Sequence, residues 1–180
     1  MEIMSNKIVI GNIAEMALNG DFDVVIHGCN CQNSTGSGVA EAMFTAFPCV
    51  KEADQKTKAG DASKIGTYSY AVTQSKTGSP LVIVNGYTQV FYGRQHYKGP
   101  PFDIESFERL LSSIMRRFGG RGLRIAYPLI GSDRGKADPE QIYNLINTYF
   151  EGENHTLVLF SEPGRNQKKF IVDLRNSAMQ

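Results

Sequence analysis

VVIHGCNCQNSTGSGVA, residues 24–40, is the stretch on which the reading of the whole chain turns. Val24, Val25 and Ile26 are apolar and β-branched, the composition of a strand covered on both faces. His27 and Gly28 end that run, and Asn, Ser, Thr and Gly dominate as far as Gly38. A helical pattern then opens at Val39, with Met43 and Phe47 at i+4 and i+8 and Pro48 marking its stop. Strand, glycine-rich loop and helix, in that order, present backbone N–H groups at a helix N-terminus to an anion, and Gly36 and Gly38 allow close approach. Two other readings compete. His27, Cys29 and Cys31 offer three metal ligands, but a structural zinc site takes four, and the third cysteine, Cys49, stands alone beyond Pro48. Cys29 with His27 as its base is a nucleophile pair, yet no local signature of a cysteine hydrolase surrounds it, and small buried packing groups are the commonest fate of free thiols.

The same plan recurs further along. YPLIGSDRGKADPEQI (127–142) is again an apolar strand, a polar glycine-rich turn and a helix. Asp138 is the expected N-cap, Pro139 takes the first helical position and Gln141 lies three on from the cap. Ile142, Leu145, Ile146 and Tyr149 then share one face. Another helix is written in Ile104, Phe107, Leu111, Ile114 and Phe118, closed by Gly119-Gly120. Further strands are expected at KIVIGN (7–12), DVVIHG (23–28), GTYSYAV (66–72), LVIVNGYT (81–88), RIAYPLI (124–130) and TLVLFS (156–161). The segment KFIVDL (169–174) reads as one more strand or an arm. Strands interleaved with helices make an α/β layered domain, in which ligands sit beyond the carboxyl ends of the strands. Two glycine-rich loops at one sheet edge can clamp a diphosphate, with His27 and Asn30 near whatever is attached to it.

Composition narrows the field. At 180 residues the chain is expected to be one domain, with a core of about 7–161 and a C-terminal tail of 162–180. A net charge of +1 gives no global attraction to nucleic acid or membrane. The basic runs RRFGGRGLR (116–124) and GRNQKK (164–169) read as solvated surface. Nucleic acid is a disfavoured partner, since no stripe of interleaved aromatic and basic residues is present. Three cysteines do not make a disulfide framework and point to reduced thiols. No apolar run is long enough for a signal peptide or a membrane span, so a soluble, cytoplasmic protein is expected.

At the first loop the residues resemble a macrodomain, the ADP-ribose-binding α/β/α module. HGCNCQNSTGSGVA (27–40) matches the family's N-A-A-N-x-x-L-x-x-G-G-G-V-A frame without a gap, with Asn30 on the second Asn, Gly36 and Gly38 on two glycines, and Val39-Ala40 closing it. His27 replaces the first Asn, a variant similar to the subgroup that includes ADP-ribose 1″-phosphate phosphatases and phage-borne relatives. GNIA (11–14) resembles the family's G-D-I segment, whose acidic residue contacts the adenine amino group; Asn12 replaces it and Ile13 follows. IGSDRGKADP (130–139) resembles the subgroup's I-G-A-G-L-A-G-G-D-W, but Asp133 and Lys136 stand where glycines are expected and Pro139 where an aromatic is. The resemblance spans roughly residues 7 to 161. It implies a three-layer α/β/α sandwich with a mixed central sheet of about six strands.

It also implies a site and an activity. The ligand is expected to be ADP-ribose or ADP-ribose 1″-phosphate, with ADP-ribosylated macromolecules as a further partner class. Ser37, Gly131, Ser132, Asp133, Arg134 and Gly135 join Asn12, Ile13, Gly36, Gly38 and Val39 as binding residues, and Phe160 is placed against adenine. Hydrolysis of the phosphate monoester requires that its charge be held and that water be activated or the leaving oxygen protonated. His27 is the expected acid or water-positioning base, Asp138 its partner or the base itself, and Asn30 the holder of distal-ribose hydroxyls. No divalent-metal cluster is evident, so cofactor-free, metal-independent chemistry is expected. Asn85, Tyr87 and Tyr92 lie past another strand end, lining the pocket or packing in the interior. The alternatives are an ADP-ribosyl hydrolase acting on modified macromolecules and a non-catalytic ADP-ribose reader.

Overall fold

A computed structural model describes residues 7–34, 38–91, 102–132 and 137–180. Six strands form one sheet: β1 (Lys7–Ile10), β2 (Val24–Asn30), β3 (Tyr68–Gln74), β4 (Pro80–Gln89), β5 (Arg124–Tyr127) and β6 (Asn154–Leu159). Their order across the sheet is β1-β6-β5-β2-β4-β3, parallel throughout except for β3, which pairs antiparallel to β4 at the edge. The expected mixed six-stranded sheet is therefore present, with helices on both faces.

Period-two alternation divides the interior between those faces. Val24, Ile26, Ile125, Tyr127, Leu157 and Leu159 point to one side, where they pack with α4 (Ile104–Phe118), α5 (Pro139–Tyr149) and α6 (Arg165–Ala178). Val25, Cys29, Ala126 and Val158 point to the other, against α1 (Ile13–Leu18), α2 (Gly38–Ala46) and α3 (Pro48–Gln55). His27 follows Val25 and Cys29 onto this second side, where its ring meets Phe44 of α2 edge-on.

Two elements differ from expectation. KFIVDL is neither strand nor arm but part of α6: Phe170, Ile171 and Leu174 recur on one helical face and join the core, with Phe170 only 2% exposed. Burying one such ring contributes about 1.5–3 kcal/mol. Pro48 marks the stop of α2, which ends at Ala46, and also opens the further helix α3, because a residue without an N–H fits the first turn, where that donor has no partner. RIAYPLI stops as a strand at Tyr127, since Pro128 follows it.

The topology places a crevice. Chain leaving β2 enters α2 on one face, while chain leaving β5 enters α5 on the other. These neighbouring strands pair only over Val24–Ile125 and Val25–Ala126, so their carboxyl ends separate. That point, where connections depart in opposite directions, is where an open α/β sheet forms its ligand crevice.

Candidate functional site

A cleft of about 170 Å³ opens at this edge of the sheet. Gly38 and Val39 from the first loop form one part of its wall, and Pro128, Leu129 and Ser132 from the second form another. Gly11 and Ile13 after β1, and Val158 and Phe160 at the end of β6, complete its floor and far end. The two loops singled out in the sequence thus converge on one cavity. Gly36, Ser37, Asp133, Arg134, Gly135 and Lys136 lie outside the described residues, as does Tyr92.

The root of the first loop is held by its own side chains. A register shift between Cys29 and Asn30 against β4 turns the chain out of the sheet. Asn30 donates to the Ser34 carbonyl (2.5 Å), and its Oδ1 accepts from Gln32 N–H (2.9 Å), so its amide shapes the turn. Asn33 follows at φ +53°, a conformation that asparagine tolerates better than most residues. Its Nδ2 donates to the carbonyls of Asp54 (3.1 Å) and Thr57 (2.9 Å), and its Oδ1 accepts from Lys64 Nζ (2.5 Å). Lys64 and Asp54 are both buried, with Tyr87 between them: its hydroxyl donates to Asp54 Oδ1 (2.8 Å) and Lys64 Nζ lies 4.9 Å from its ring centre. Burial raises the Asp54 pKa, opposed by that hydrogen bond. A buried polar network therefore anchors the loop from beneath.

His27 belongs to this network and does not line the cleft. It is fully buried, and its Nε2 lies 2.7 Å from Asn85 Oδ1. Asn85 donates its own amide hydrogens to the Val50 carbonyl (3.0 Å) and Ser69 Oγ (3.1 Å), so its oxygen must accept and His27 must carry its proton on Nε2. Nδ1 lies 3.8 Å from the Cys29 thiol. Burial lowers the His27 pKa to about 4, with the Asn85 hydrogen bond opposing, so the ring is neutral at pH 7. Cys29 and Cys31 are buried too, and burial pushes Cys29 well up and Cys31 to about 11, opposite to what a thiolate nucleophile needs. Among the described residues, no group of three His, Cys, Asp or Glu is placed to hold a metal ion. Tyr87 and Asn85 are interior groups of the same network.

The second loop is fixed by close packing. Gly131 sits at φ +74°, and a Cβ there would fall 2.3 Å from Phe102 Cδ2, so only glycine fits. Ser132 donates its hydroxyl to the Leu129 carbonyl (2.7 Å), and Ala137 N–H closes the loop on the Gly131 carbonyl (2.9 Å). Asp138 occupies the N-cap position of α5 with extended backbone, but its exposed carboxylate makes no capping hydrogen bond. The helix start is set by Pro139 instead, which leaves the carboxylate unengaged by the cap.

At the far end, Asn12 is a true N-cap. Its Oδ1 accepts from the N–H groups of Ala14 and Glu15, both at 3.1 Å, leaving only its amide nitrogen, a donor, for a ligand. Phe160 is 49% exposed at the cleft. Gly164, Asn166 and Gln167, from the first turn of α6, form a wall that the sequence did not disclose. Their only signal was a polar N-Q pair before an apolar helical repeat, which is ordinary for any surface helix.

No protein-family model matches the chain. It is 33% identical over 147 residues to an uncharacterized 17.5 kDa protein in the tk-vs intergenic region of Enterobacteria phage T4, covering 79% of this chain and 88% of that one. Among solved structures, a Bacteroides thetaiotaomicron protein superposes with a TM-score of 0.69 at 16% identity, over 86% of this chain and 99% of its own. The macrodomain of Thermus aquaticus DarG gives 0.62 at 23% identity, over 86% and 97%. Thermosipho africanus DarTG, in complex with ADP-ribose, gives 0.64 at 13% identity, over 90% of this chain and 43% of that one. No helix among the described residues is long and apolar enough to cross a membrane.

Proposed function

Because the chain belongs to the family of the phage T4 17.5 kDa protein and has the macrodomain fold, we propose that it binds ADP-ribose in this cleft and releases phosphate from ADP-ribose 1″-phosphate. The observation that carries the reading is the convergence of both glycine-containing loops on one cavity that ends at a half-exposed aromatic ring. In the proposed pose the base lies against Phe160 and Ile13. Backbone N–H groups of the two loops hold the diphosphate, since a helix N-terminus and a glycine turn supply donors without a charged side chain.

The chemistry proposed at the distal ribose uses Asp138, the exposed residue at the start of α5. This residue lies outside the cleft lining, so the distal ribose must extend past the cleft to reach it. Its carboxylate takes a proton from water, which adds to phosphorus as the bond to the ribose oxygen breaks. The same proton then returns to that leaving oxygen, giving ADP-ribose and inorganic phosphate. His27 serves indirectly: neutral and buried, it supports the strand end from which Asn30 and the first loop depart.

One observation favours a second reading, a non-catalytic reader of ADP-ribose: none of the described residues lining the cleft is titratable. Phosphate release from ADP-ribose 1″-phosphate, with ADP-ribose binding by calorimetry on the same preparation, separates the two. Release together with product binding supports the phosphatase. Binding without release leaves the reader or an ADP-ribosyl hydrolase acting on a different bond. Absence of both signals overturns the proposal.

A further inference from the structure

The peptide of Phe160 lies beyond the sheet. The last ladder bond at that corner runs from Gly11 N–H to the Leu159 carbonyl (2.8 Å), and β1 has already ended at Ile10. Gln167 takes the place of the missing strand. Its Oε1 accepts from Phe160 N–H (3.0 Å) and its Nε2 donates to the Phe160 carbonyl (2.6 Å), so one side-chain amide pairs both backbone groups. The adjacent Asn166 donates its amide to the Ser132 carbonyl, in the second loop. Two consecutive side chains on the first turn of α6 therefore hold opposite ends of the cleft. The helix bearing them is itself anchored by Phe170, which meets Tyr143 of α5 edge-on at 5.4 Å between ring centres.

We infer that Asn166 and Gln167 are positioning residues for the ligand, Gln167 acting through the Phe160 ring and Asn166 through the second loop, so that the C-terminal helix is part of the site. The inference rests on the ADP-ribose reading. Phe160 is a half-exposed ring on the residue that follows β6, beyond the sheet ladder, and its orientation depends on what grips its backbone. The second loop is likewise held at Ser132 from outside, by the Asn166 amide.

The test is a pair of double-mutant cycles read by calorimetry with ADP-ribose on the full chain. Gln167→Ala and Asn166→Ala are each expected to weaken binding about tenfold while the thermal midpoint stays within a few degrees. In a Phe160→Ala background, Gln167→Ala should add nothing, because the group it positions is gone. Asn166→Ala should still cost its full factor, since it acts elsewhere. If α6 were only a structural brace, both would respond alike to loss of Phe160. Should Gln167→Ala lose its unfolding transition, Gln167→Met, of equal length but without the amide, takes its place. Unchanged affinity in both single variants, or an undiminished Gln167 effect without Phe160, overturns the inference alone. A wild-type protein that binds no ADP-ribose overturns the underlying reading and this inference with it.

Discussion

Acid should destabilise this protein through a histidine that takes no part in proton transfer. His27 is neutral when folded, with a pKa of about 4, against 6.5 in an unfolded chain. Below 6.5 the unfolded state therefore binds the extra proton first. The stability associated with a neutral His27 is complete above that pH, falls as pH drops, and levels off below about 4. A difference of about 2.5 pKa units at about 1.4 kcal/mol each sets a ceiling near 3.5 kcal/mol, of which about 2 kcal/mol is lost by pH 5. His155, also lowered to about 4 by burial, adds a loss of the same sign, so the wild-type curve alone does not isolate His27. The comparison with His27→Gln does. Glutamine retains a donor for Asn85 Oδ1 and cannot titrate. Urea unfolding followed by tyrosine fluorescence is suited to a chain with eight tyrosines and no tryptophan. The advantage of wild type over His27→Gln should shrink by about 2 kcal/mol between pH 8 and pH 5. A difference that stays flat over that range would refute the assignment of a buried, neutral His27, and with it the argument against its acting as an acid.

Other expectations follow from the loops. Asp138→Asn should lower phosphate release at least about a hundredfold while leaving the urea midpoint unchanged, because the carboxylate makes no capping hydrogen bond; equal losses of rate and stability would return it to a capping role. Gly131→Ala forces a Cβ into Phe102 at φ +74° and should cost about 1–3 kcal/mol in denaturant titration, with weaker ADP-ribose binding. Asn33→Gly keeps the backbone conformation but removes the hydrogen bonds to the Lys64 ammonium and to the Asp54 and Thr57 carbonyls, so stability should fall by about 1–3 kcal/mol. Calorimetry on that variant should show weaker binding if the network steadies the first loop.

Local pattern decided what local physics controls. The alternating β-branched runs specified strands, the three- and four-residue spacing of Ile104 through Phe118 specified α4, and glycine turns marked both loops. Each reflects interactions among residues near in sequence, so each could be read directly. Phe170 was harder, because an apolar tail can pair as a strand or pack as a helix. Packing against the finished core settled it. The site followed the same division. The loops were legible, but the direction and neutrality of His27 depended on which face of β2 became interior, and its tautomer on the Asn85 oxygen 58 residues away. Likewise the capping position of Asp138 was legible, while the absence of a capping bond was not. Gln167 could be seen as a cleft residue only once α6 had docked, since its partner, the unpaired peptide of Phe160, exists only where the sheet runs out. Spacing along a chain determines which face a side chain takes; which groups it meets there is a property of the assembled layers.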